Sequence, residues 1–464
     1  MQKSTMASRA IDLWVWLLLL ALVVLPALSL QSQNFKTLYS FTGDSDGGNP
    51  ESGVILVGKT LYGTAGDGGL GRGTVYSLNT DGTAFSVVLR FPGQEGGPSG
   101  SFVILDNILY TAGAAGGVGG SIIEVALDGT NPFPINWYDF VPFFGDGTDP
   151  GGVIMSGSLL YGVTHSGGQF GHGTVYDYDG SIVTNLYAFS GADGDHPNGS
   201  LVMNNGTIYG VTRSGGTWGS GTVYSMNADG SGFQTLHHFS GSDNGEGADP
   251  LAGLILWGST LFGTTSAGGT SSNGTIFSIS TNGTDFKTLH SFNGGDGATP
   301  AAALNLTGDT LYGTTVKGGA WGLGNVFAVA TDGSGFTTLH SFNGTDGANP
   351  FAEMLLSSNT LYGTTEWGGT NQGKAFSWGT VFSLRLGVAP PQAPQLTITP
   401  SGQNVVLTWP ANGNFFLQSA SNIAASPVWT RVALDPALDP VVINGQNTVT
   451  NPIFGAQQFF RLSQ

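Results

Sequence analysis

TLHSFNGGDGATP (Thr288–Pro300) returns fifty residues later, almost unchanged, as TLHSFNGTDGANP (Thr338–Pro350). An LYGTT segment follows each copy, at Leu311–Thr315 and Leu361–Thr365. Copying at a fixed interval indicates a fold made of repeated units, because periods of roughly 20–50 residues are typical of propellers and solenoids. The question is therefore which repeated unit these motifs build.

Three motifs recur along the chain in a fixed order, and two of them occur in seven copies each. The LYGT-like motif begins at Leu61, Leu109, Leu160, Ile208, Leu261, Leu311 and Leu361. The FxG motif begins at Phe41, Phe91, Phe144, Phe189, Phe239, Phe292 and Phe342. The GTVY or GTVF motif begins at Gly73, Gly173, Gly221, Gly274, Gly324 and Gly379, with a weak copy around Gly120. The chain thus contains seven units of about fifty residues.

One unit, Leu251–Gly294, reveals the secondary structure. It contains four short apolar runs, LAGLILWG, STLFGTT, GTIFSIS and DFKTLHSF, separated by clusters of Gly, Asn or Ser. Runs of this length, rich in β-branched and aromatic residues, are typical of β-strands. No stretch after Gln31 has a sustained helical period. Four antiparallel strands in each of seven units predict an all-β protein with a seven-bladed β-propeller over residues 35–386.

The two ends of the repeat region complement each other. FKTLYSF (Phe35–Phe41) precedes the first complete unit as an isolated fourth strand. GTVFSLRL (Gly379–Leu386) ends the last unit with a third strand that lacks a fourth. Pairing the two would complete the seventh blade and remove an edge that otherwise invites aggregation. We therefore expect residues 35–41 and 379–386 to close the ring.

The motifs resemble those of the GloVer tandem-repeat family, bacterial exported proteins with an LYGTT…GTVF…FxG repeat of fifty residues. The resemblance covers about Phe35–Leu386. The second unit departs most from the pattern, with LYTA at Leu109 and SIIEV at Ser121. The resemblance implies export and surface association through varied C-terminal anchors, and it implies no particular activity.

The N-terminus has the order of a secretory signal, which we predict for residues 1–30. Lys3 and Arg9 precede the apolar run Leu13–Leu25, Pro26 breaks the run, and small and polar residues follow. Charged, apolar and cleavable regions in this order are typical of signal peptides. Cleavage near Ala27–Ser29 would give a secreted or cell-surface protein. A retained segment would be its membrane anchor, since the run approaches the length of a membrane-spanning helix.

Composition narrows the partners further. The chain of 464 residues has no cysteine, which excludes disulfides and thiolate metal sites. Its net charge of −17 disfavours nucleic acid, because phosphate binding requires clustered Lys and Arg.

The C-terminal part differs in composition from the repeats. VAPPQAPQ (Val388–Gln395) predicts a stiff proline-rich linker, which we place at residues 387–395. Six short strand candidates follow within residues 396–464 and predict a small immunoglobulin- or fibronectin-III-like β-sandwich, with Trp409 in its core. Its WP, LQSAS and FFRL elements are similar to modules that end many exported proteins of planctomycetes and verrucomicrobia. Sorting, surface attachment and spacing remain alternative roles for this module.

Two kinds of loop should open on the same face, because consecutive strands run in opposite directions. They are the loop after the second strand and the loop after the fourth. In the first kind, variable residues precede Gly-Gly, and aromatic residues follow it in several copies. This pattern makes the following residues ligand-binding candidates: His165, Arg213, Phe170, Trp218, Trp321, and Trp367, Phe376 and Trp378 of the longer seventh loop. Such aromatic rings either stack on sugar rings or seal neighbouring blades, and the sequence favours the sealing role. The long seventh loop is the exception, and we expect it to contact a ligand.

The FxGxDGxxP loops concentrate acidic residues. Asp44, Asp46, Asp193 and Asp195 are the candidates for calcium ligands. None completes a twelve-residue calcium loop, and an Asp before Gly is explained by its backbone hydrogen bonds in a turn. We therefore expect no metal and no cofactor.

For catalysis the sequence offers one weak candidate, Glu366, because a glycosidase needs two carboxylates beside the scissile bond. No nucleophile elbow, phosphate-binding loop or HExxH motif is present in the sequence. We expect a binding scaffold for polysaccharide or for envelope proteins. A glycan-active hydrolase or lyase, and a purely structural spacer in a surface layer, remain the alternatives.

Overall fold

The computed structural model describes two compact units, Met1–Leu386 and Gly387–Gln464. In the first unit the described residues are 34–69, 73–91, 98–113, 119–128, 134, 136–141, 145–241, 245–370 and 378–386, and in the second they are Gly387 and seven strands. The predicted signal peptide and the linker from residue 388 lie outside the described residues. Within the described part of the chain, no helix is long and apolar enough to cross a membrane.

The first unit consists of seven four-stranded antiparallel sheets, which confirms the predicted seven-bladed β-propeller. Blade 7 uses the first strand of the chain, β1 (Asn34–Ser40). Blade 1 is β2 (Val54–Val57), β3 (Thr60–Ala65), β4 (Thr74–Asn79) and β5 (Ser86–Arg90). Blade 2 is β6 (Pro98–Leu105), β7 (Ile108–Gly113), β8 (Ser121–Ala126) and β9 (Asn136–Asp139). Blade 3 is β10 (Gly147–Ser156), β11 (Leu159–Gly167), β12 (Thr174–Tyr178) and β13 (Val183–Ala188).

The remaining blades continue in the same order around the ring. Blade 4 is β14 (Asp195–Asn204), β15 (Thr207–Ser214), β16 (Thr222–Asn227) and β17 (Gln234–His238). Blade 5 is β19 (Ile255–Trp257), β20 (Thr260–Thr265), β22 (Thr275–Ser280) and β23 (Lys287–Ser291), with a short ladder of β18 (Gly247–Ala248) and β21 (Ala267–Gly268). Blade 6 is β24 (Asn305–Thr307), β25 (Thr310–Thr315), β26 (Asn325–Ala330) and β27 (Thr337–Ser341). Blade 7 adds β28 (Leu355–Ser357), β29 (Thr360–Thr365) and β30 (Thr380–Arg385) to β1.

The ring closes through the pairing of the first strand with the last blade. β1 lies antiparallel to β30, with a register that runs from Asn34 opposite Arg385 to Ser40 opposite Thr380. Blade 7 therefore takes three strands from the end of the repeat region and its outermost strand from the start. The closure leaves no blade with an unpaired third strand, so the sheet edge that would invite association is covered.

The motifs recur because each fills a defined place between blades. The aromatic residue of the GTVY/F strand lies over the glycine of LYGT, so that a Cβ at Gly313 would come within 2.5 Å of Phe327 Cζ. The phenylalanine of the preceding FxG motif packs its edge against the same ring, with the centroids of Phe292 and Phe327 5.3 Å apart. All three residues are buried, which makes this aromatic layer the core between adjacent blades.

Blade 2 corrects one sequence assignment. The amide of Phe140 donates to the carbonyl of Gly120 at 2.9 Å, as the amide of Phe292 does to Gly274 at 3.0 Å. Phe140 is also buried, so it occupies the core position of the FxG motif. The assignment of Phe144 to this position was therefore wrong. It followed the FFG sequence, whereas β9, the strand that precedes the motif, already ends at Asp139. Phe144 lies outside the described residues.

The second unit also consists of strands. They are β31 (Thr397–Ser401), β32 (Asn404–Pro410), β33 (Phe416–Ala420), β34 (Thr430–Arg431), β35 (Val441–Ile443), β36 (Gln446–Pro452) and β37 (Phe459–Ser463). They form two sheets, in the orders β31-β32-β36-β35 and β34-β33-β37. The sandwich itself, and the core position of Trp409, stay predictions, because the side chains of this unit lie outside the described residues.

Candidate functional site

One end of the ring carries both kinds of loop named above. The loop between the second and third strands of a blade, here called the 2–3 loop, bridges to the loop that enters the same blade from its predecessor. Backbone bridges of this kind join Gly48 to Asp67, Ala298 to Lys317 and Ala348 to Trp367. We call this end the loop face; the first and second strands of each blade turn at the opposite end, the hairpin face.

A backbone latch of one kind recurs at the blade boundaries. A residue before proline adopts a positive φ, 54° at Asp249 for example, and its amide donates to the carbonyl of Ser220 in the preceding 2–3 loop at 3.1 Å. The proline ring then packs on the glycine of the preceding GTV motif, with Pro250 Cδ 2.7 Å from where a Cβ of Gly221 would lie. Six boundaries share this positive φ, at Asn49, Asp149, His196, Asp249, Thr299 and Asn349. The strain at His196 is therefore a feature of the fold and not of a particular site.

Aspartate side chains hold the FxGxDG loops in shape through hydrogen bonds within each loop. The Asp46 carboxylate accepts from the Tyr39 hydroxyl at 2.8 Å and from the Thr42 amide at 2.9 Å. The Asp193 carboxylate accepts from the Tyr187 hydroxyl at 2.5 Å and from a loop amide in the same way. Both oxygens of these carboxylates serve the loop, as expected for an aspartate in a turn.

The partner of the loop acid is tyrosine in some blades and histidine in others. His290 Nε2 lies 3.1 Å from the Asp296 carboxylate, where Tyr187 and Asp193 meet in blade 3. The His290 ring also stacks on Phe336 of the next blade, with centroids 3.8 Å apart. Burial lowers the pKa of His290 despite the carboxylate. Tyrosine and histidine interchange here because each presents an N–H or O–H to the acid and a flat ring to the neighbouring blade.

The calcium candidates do not form a metal site in the part of the chain that is described. Asp46 and Asp193 are engaged in their loops, and the backbone carbonyl of Asp44 accepts from the Gly69 amide at 2.7 Å. Asp195 contacts two histidines, with His172 Nδ1 and His196 Nδ1 each 2.8 Å from the same oxygen. No described group of three or more His, Cys, Asp or Glu side chains is arranged to hold a metal ion.

Three aromatic side chains stand out from the tips of equivalent 2–3 loops. Phe170 of blade 3, Trp218 of blade 4 and Trp321 of blade 6 are 54%, 65% and 67% exposed. A sealing role between blades, which the sequence favoured, requires buried rings, so that expectation was wrong for these three residues. The glycine after each ring has open space around it, so the rings project from narrow tips. They are the largest exposed apolar groups on the described part of the loop face.

The longer loop of blade 7 divides its aromatic residues between packing and exposure. Trp378 is half-buried and covers the backbone of Gly43 and Gly48, where a Cβ would collide with its indole. Trp367 remains 38% exposed, and its ring centroid lies 6.5 Å from that of Trp378. Phe376 lies outside the described residues. Trp378 therefore packs against the loop that enters blade 1, although we expected the seventh loop to contact a ligand, whereas Trp367 is available to solvent.

The polar candidates fall into two separate neighbourhoods. His165 of blade 3 lies 4.6 Å from His196, measured between ring centroids. Burial lowers its pKa, and His196 and Arg213 of blade 4 lower it further. Arg213 itself is exposed. These residues bring one cation, Arg213, and two imidazole rings together between blades 3 and 4, where Asp195 contacts His196.

Glu366 belongs to the other neighbourhood, on blade 7 beside blade 1. Burial raises the pKa of its carboxyl group, Asp67 raises it further, and a hydrogen bond from Trp367 opposes the rise. Burial and the charges of Glu366 and Asp67 likewise raise the pKa of Glu51. Glu366 therefore lies among acidic residues, whereas His165 and Arg213 lie near each other on blades 3 and 4.

Sequence reasoning missed Glu353, which reaches the central channel. It occupies the inner-strand position that Gly53, Ser101, Gly152, Ser200, Gly253 and Ala303 take in the other blades. The signal was available: aligning the seven repeats on the LYGT motif leaves one long acidic side chain in a column of small residues.

Comparison with known proteins identifies the repeat. The family profile of the Gloeobacter/Verrucomicrobia repeat matches residues 71–256, 138–318 and 242–389, which together span more than half of the chain. No curated protein matches. The repeat family predicted from the three motifs is therefore confirmed, whereas the resemblance of the C-terminal module stays a prediction.

Solved structures show only general likeness. A puromycin-hydrolysing peptidase of Mycobacterium tuberculosis has 14% identity and a TM-score of 0.47. The match covers 82% of this chain and 61% of the peptidase chain. A chain of the mitotic checkpoint complex has 11% identity and a TM-score of 0.48, with coverages of 76% and 91%. A 6-phosphogluconolactonase-like protein of Bacteroides uniformis has 16% identity and a TM-score of 0.44, with coverages of 63% and 84%. This chain thus spans under two thirds of the peptidase.

Proposed function

This chain belongs to the Gloeobacter/Verrucomicrobia repeat family, and we propose that it is an exported or cell-surface scaffold that binds neutral polysaccharide through its loop face. The family and the propeller fold are compatible with a binding scaffold. The ligand class rests on the loop-face aromatic residues, and the location rests on the N-terminal sequence. Envelope proteins are the other partner that the sequence suggested.

The observation that carries the proposal is the exposure of aromatic rings at one repeated loop position. Trp218 and Trp321 are about two-thirds exposed on separate blades, and Phe170 takes the same position on a third. Single exposed apolar residues are ordinary. We take the repetition of an exposed ring at one loop position on three blades as the sign of an interaction surface. Flat rings that stand free of their own blade can stack on the C–H faces of sugar rings.

The spacing of these rings suits a polymer. Each ring occupies its own blade, so a flexible chain can contact several of them at once, and linked weak contacts raise the overall affinity. Polar residues at the same tips, such as Gln169 and Thr217, can form hydrogen bonds with hydroxyl groups. The net charge of −17 favours a neutral polymer, because a polyanion would be repelled.

The test is affinity electrophoresis and calorimetry of the full-length chain against neutral and anionic polysaccharides. We expect the Trp218→Ala/Trp321→Ala double variant to lose about tenfold in affinity for the neutral polymer that binds best, or about 1.4 kcal/mol. Trp257→Ala is the matched control, because Trp257 is 47% exposed but lies at the turn between β19 and β20 on the hairpin face. Equal losses in both variants, or an unaffected double variant, would contradict the proposal.

A glycan-active enzyme on the same face is the second candidate, and the raised pKa of Glu366 is the observation in its favour. The same polysaccharides separate the two functions. Release of new reducing ends that stops in Glu366→Gln would indicate an enzyme. Binding without release, retained in Glu366→Gln, would indicate a scaffold. No binding to any polymer would leave a scaffold for envelope proteins or the structural spacer.

A further inference from the structure

The central channel of the propeller narrows at a ring of seven residues, one at the inner strand of each blade. Six of the seven are Gly53, Ser101, Gly152, Ser200, Gly253 and Ala303, and the seventh is Glu353. Small residues dominate the ring because the blades meet closely there. A Cβ at Gly53 would collide with the carbonyl oxygen of Glu353, and a Cβ at Gly253 would lie 2.5 Å from that of Ser200.

The hydroxyl groups in the ring are already used. Ser101 Oγ and Ser200 Oγ hydrogen-bond to each other at 2.8 Å across blade 3, where Gly152 has no side chain to separate them. Glu353 is therefore the one long polar side chain in the described ring, and it lines the channel.

Two chambers meet at Glu353. The chamber toward the hairpin face has a volume of about 410 Å³ and a largely apolar wall, to which Ile55, Phe102, Ile154, Leu201 and Leu254 contribute. The chamber toward the loop face has a volume of about 140 Å³ and includes Glu51 and Asn198 in its wall. Glu353 and five of the small residues of the ring line both chambers, so the ring is their junction and Glu353 is its one acidic member.

The electrostatic environment of Glu353 is uncompensated. The side chain of Glu353 is exposed to the channel, but protein atoms enclose the channel and partly desolvate the carboxyl group, which raises its pKa to about 7. Glu51 is the only other charged side chain among the described residues that line the chambers, and it has the same sign. A carboxylate held in such surroundings favours any ligand that brings a positive charge to it.

We propose that the central channel binds an organic ammonium compound, with its charged head at Glu353 and its apolar body in the chamber toward the hairpin face. This site is separate from the polysaccharide surface and does not depend on it. A divalent cation fits less well, because calcium takes six to eight oxygen ligands and the ring offers one carboxylate and two hydroxyl groups that bond to each other. The apolar wall of the larger chamber also offers no ligands to a metal ion.

The test compares 4-phenylbutylamine with 4-phenylbutan-1-ol, which has nearly the same shape and no charge. Calorimetry with the full-length chain at pH 8 should show the amine binding about tenfold or more tightly than the alcohol. Glu353→Gln should abolish that preference, because the amide has the same size and no charge. Glu51→Gln is the matched control and should keep it. The preference should also shrink at pH 5.5, where the Glu353 carboxyl group is protonated.

Four results would overturn the proposal: equal affinity for amine and alcohol, a preference that survives Glu353→Gln, a preference lost equally in Glu51→Gln, or calcium binding that depends on Glu353 in place of amine binding. Thermal unfolding of each variant at pH 8 shows that it is folded. Glu353→Gln should unfold at the same temperature as the unsubstituted chain or higher, since it removes an unpaired charge. Loss of polysaccharide binding in the loop-face variants would leave this result unaffected.

Discussion

The base and the tip of a single loop obey different constraints. In the 2–3 loop of blade 4, Gly221 at the base is buried at a φ of 101° and meets the strand below and the proline of blade 5. Gly219, two residues earlier, is exposed at a φ of 73° with nothing within 4 Å of a Cβ. Trp218 beside it is largely exposed. The glycine at the base recurs from blade to blade, whereas the tip differs between blades.

This difference separates framework from surface within each repeat. Residues shared by the blades form the latch, the acid-closed loop and the aromatic layer, and each of these joins one blade to the next. Exposed tip residues that differ between blades, such as Trp218, lie largely in solvent. A repeated fold can therefore vary its loop tips without disturbing the contacts that hold the ring together.

Among substitutions in the loop, the largest expected effect is at its base. Gly221→Ala should lower the free energy of unfolding by about 3 kcal/mol or more, because its Cβ would collide with the carbonyl oxygen of Thr212 and lie 2.7 Å from Pro250 Cδ. Gly219→Ala should lower it by only about 1 kcal/mol, the cost of a left-handed backbone with an alanine. Urea unfolding followed by tryptophan fluorescence measures both.

The pair is informative because the two substitutions are chemically identical. Equal losses at the two positions would mean that positive φ alone limits these glycines, and that the contact with the next blade adds nothing. A large loss at Gly219 with a small one at Gly221 would place the constraint at the tip and reverse the comparison.

The sequence predicted the framework well because repetition multiplies a weak signal. Seven copies of one strand pattern predict a propeller, although each copy alone is only a short apolar run. The exception was blade 2, where the single FFG spacing pointed to Phe144 and the buried residue is Phe140. One divergent copy has no repetition to correct it.

The candidate site was less predictable, because sequence does not say which way a tip residue points. Trp218 and Trp378 both follow a Gly-rich stretch, yet one projects into solvent and the other covers Gly43. The interchange of Tyr187 with His290 was likewise visible, but its cause, a hydrogen bond to the acid of the following loop, required the fold. Glu353 was overlooked because its meaning depends on the other six residues of its ring.

A smaller effect is expected for the histidines that hydrogen-bond to the loop acids and stack on the next blade. Burial lowers the pKa of His237 and His290 in the folded chain, so the folded state binds fewer protons than the unfolded one. Their contribution is complete above about pH 6.5, the usual histidine value, and is lost as the pH falls through the lowered values. His290→Tyr, which introduces the residue that blade 3 has at Tyr187, should make the urea midpoint fall less between pH 7 and pH 5.

The control for that experiment is His290→Phe. It keeps a ring to stack on Phe336 but leaves the Asp296 carboxylate without the hydrogen bond at 3.1 Å, so it should be less stable than His290→Tyr throughout the pH range. An unchanged pH dependence in His290→Tyr would show that this histidine does not contribute to acid sensitivity.

The smallest expected effect lies at the tips. Trp218→Ala and Trp321→Ala should each change the free energy of unfolding by no more than about 0.5 kcal/mol, because the indoles remain mostly in water after folding. Phe239→Ala is the contrasting control, with an expected loss of about 3–5 kcal/mol at a fully buried ring of the aromatic layer. A fall of more than about 1 kcal/mol in the free energy of unfolding at either tryptophan would indicate that its ring packs between blades after all. Near-neutral stability together with weakened polysaccharide binding would instead assign the tips to recognition, since the weaker binding could not then come from a damaged fold.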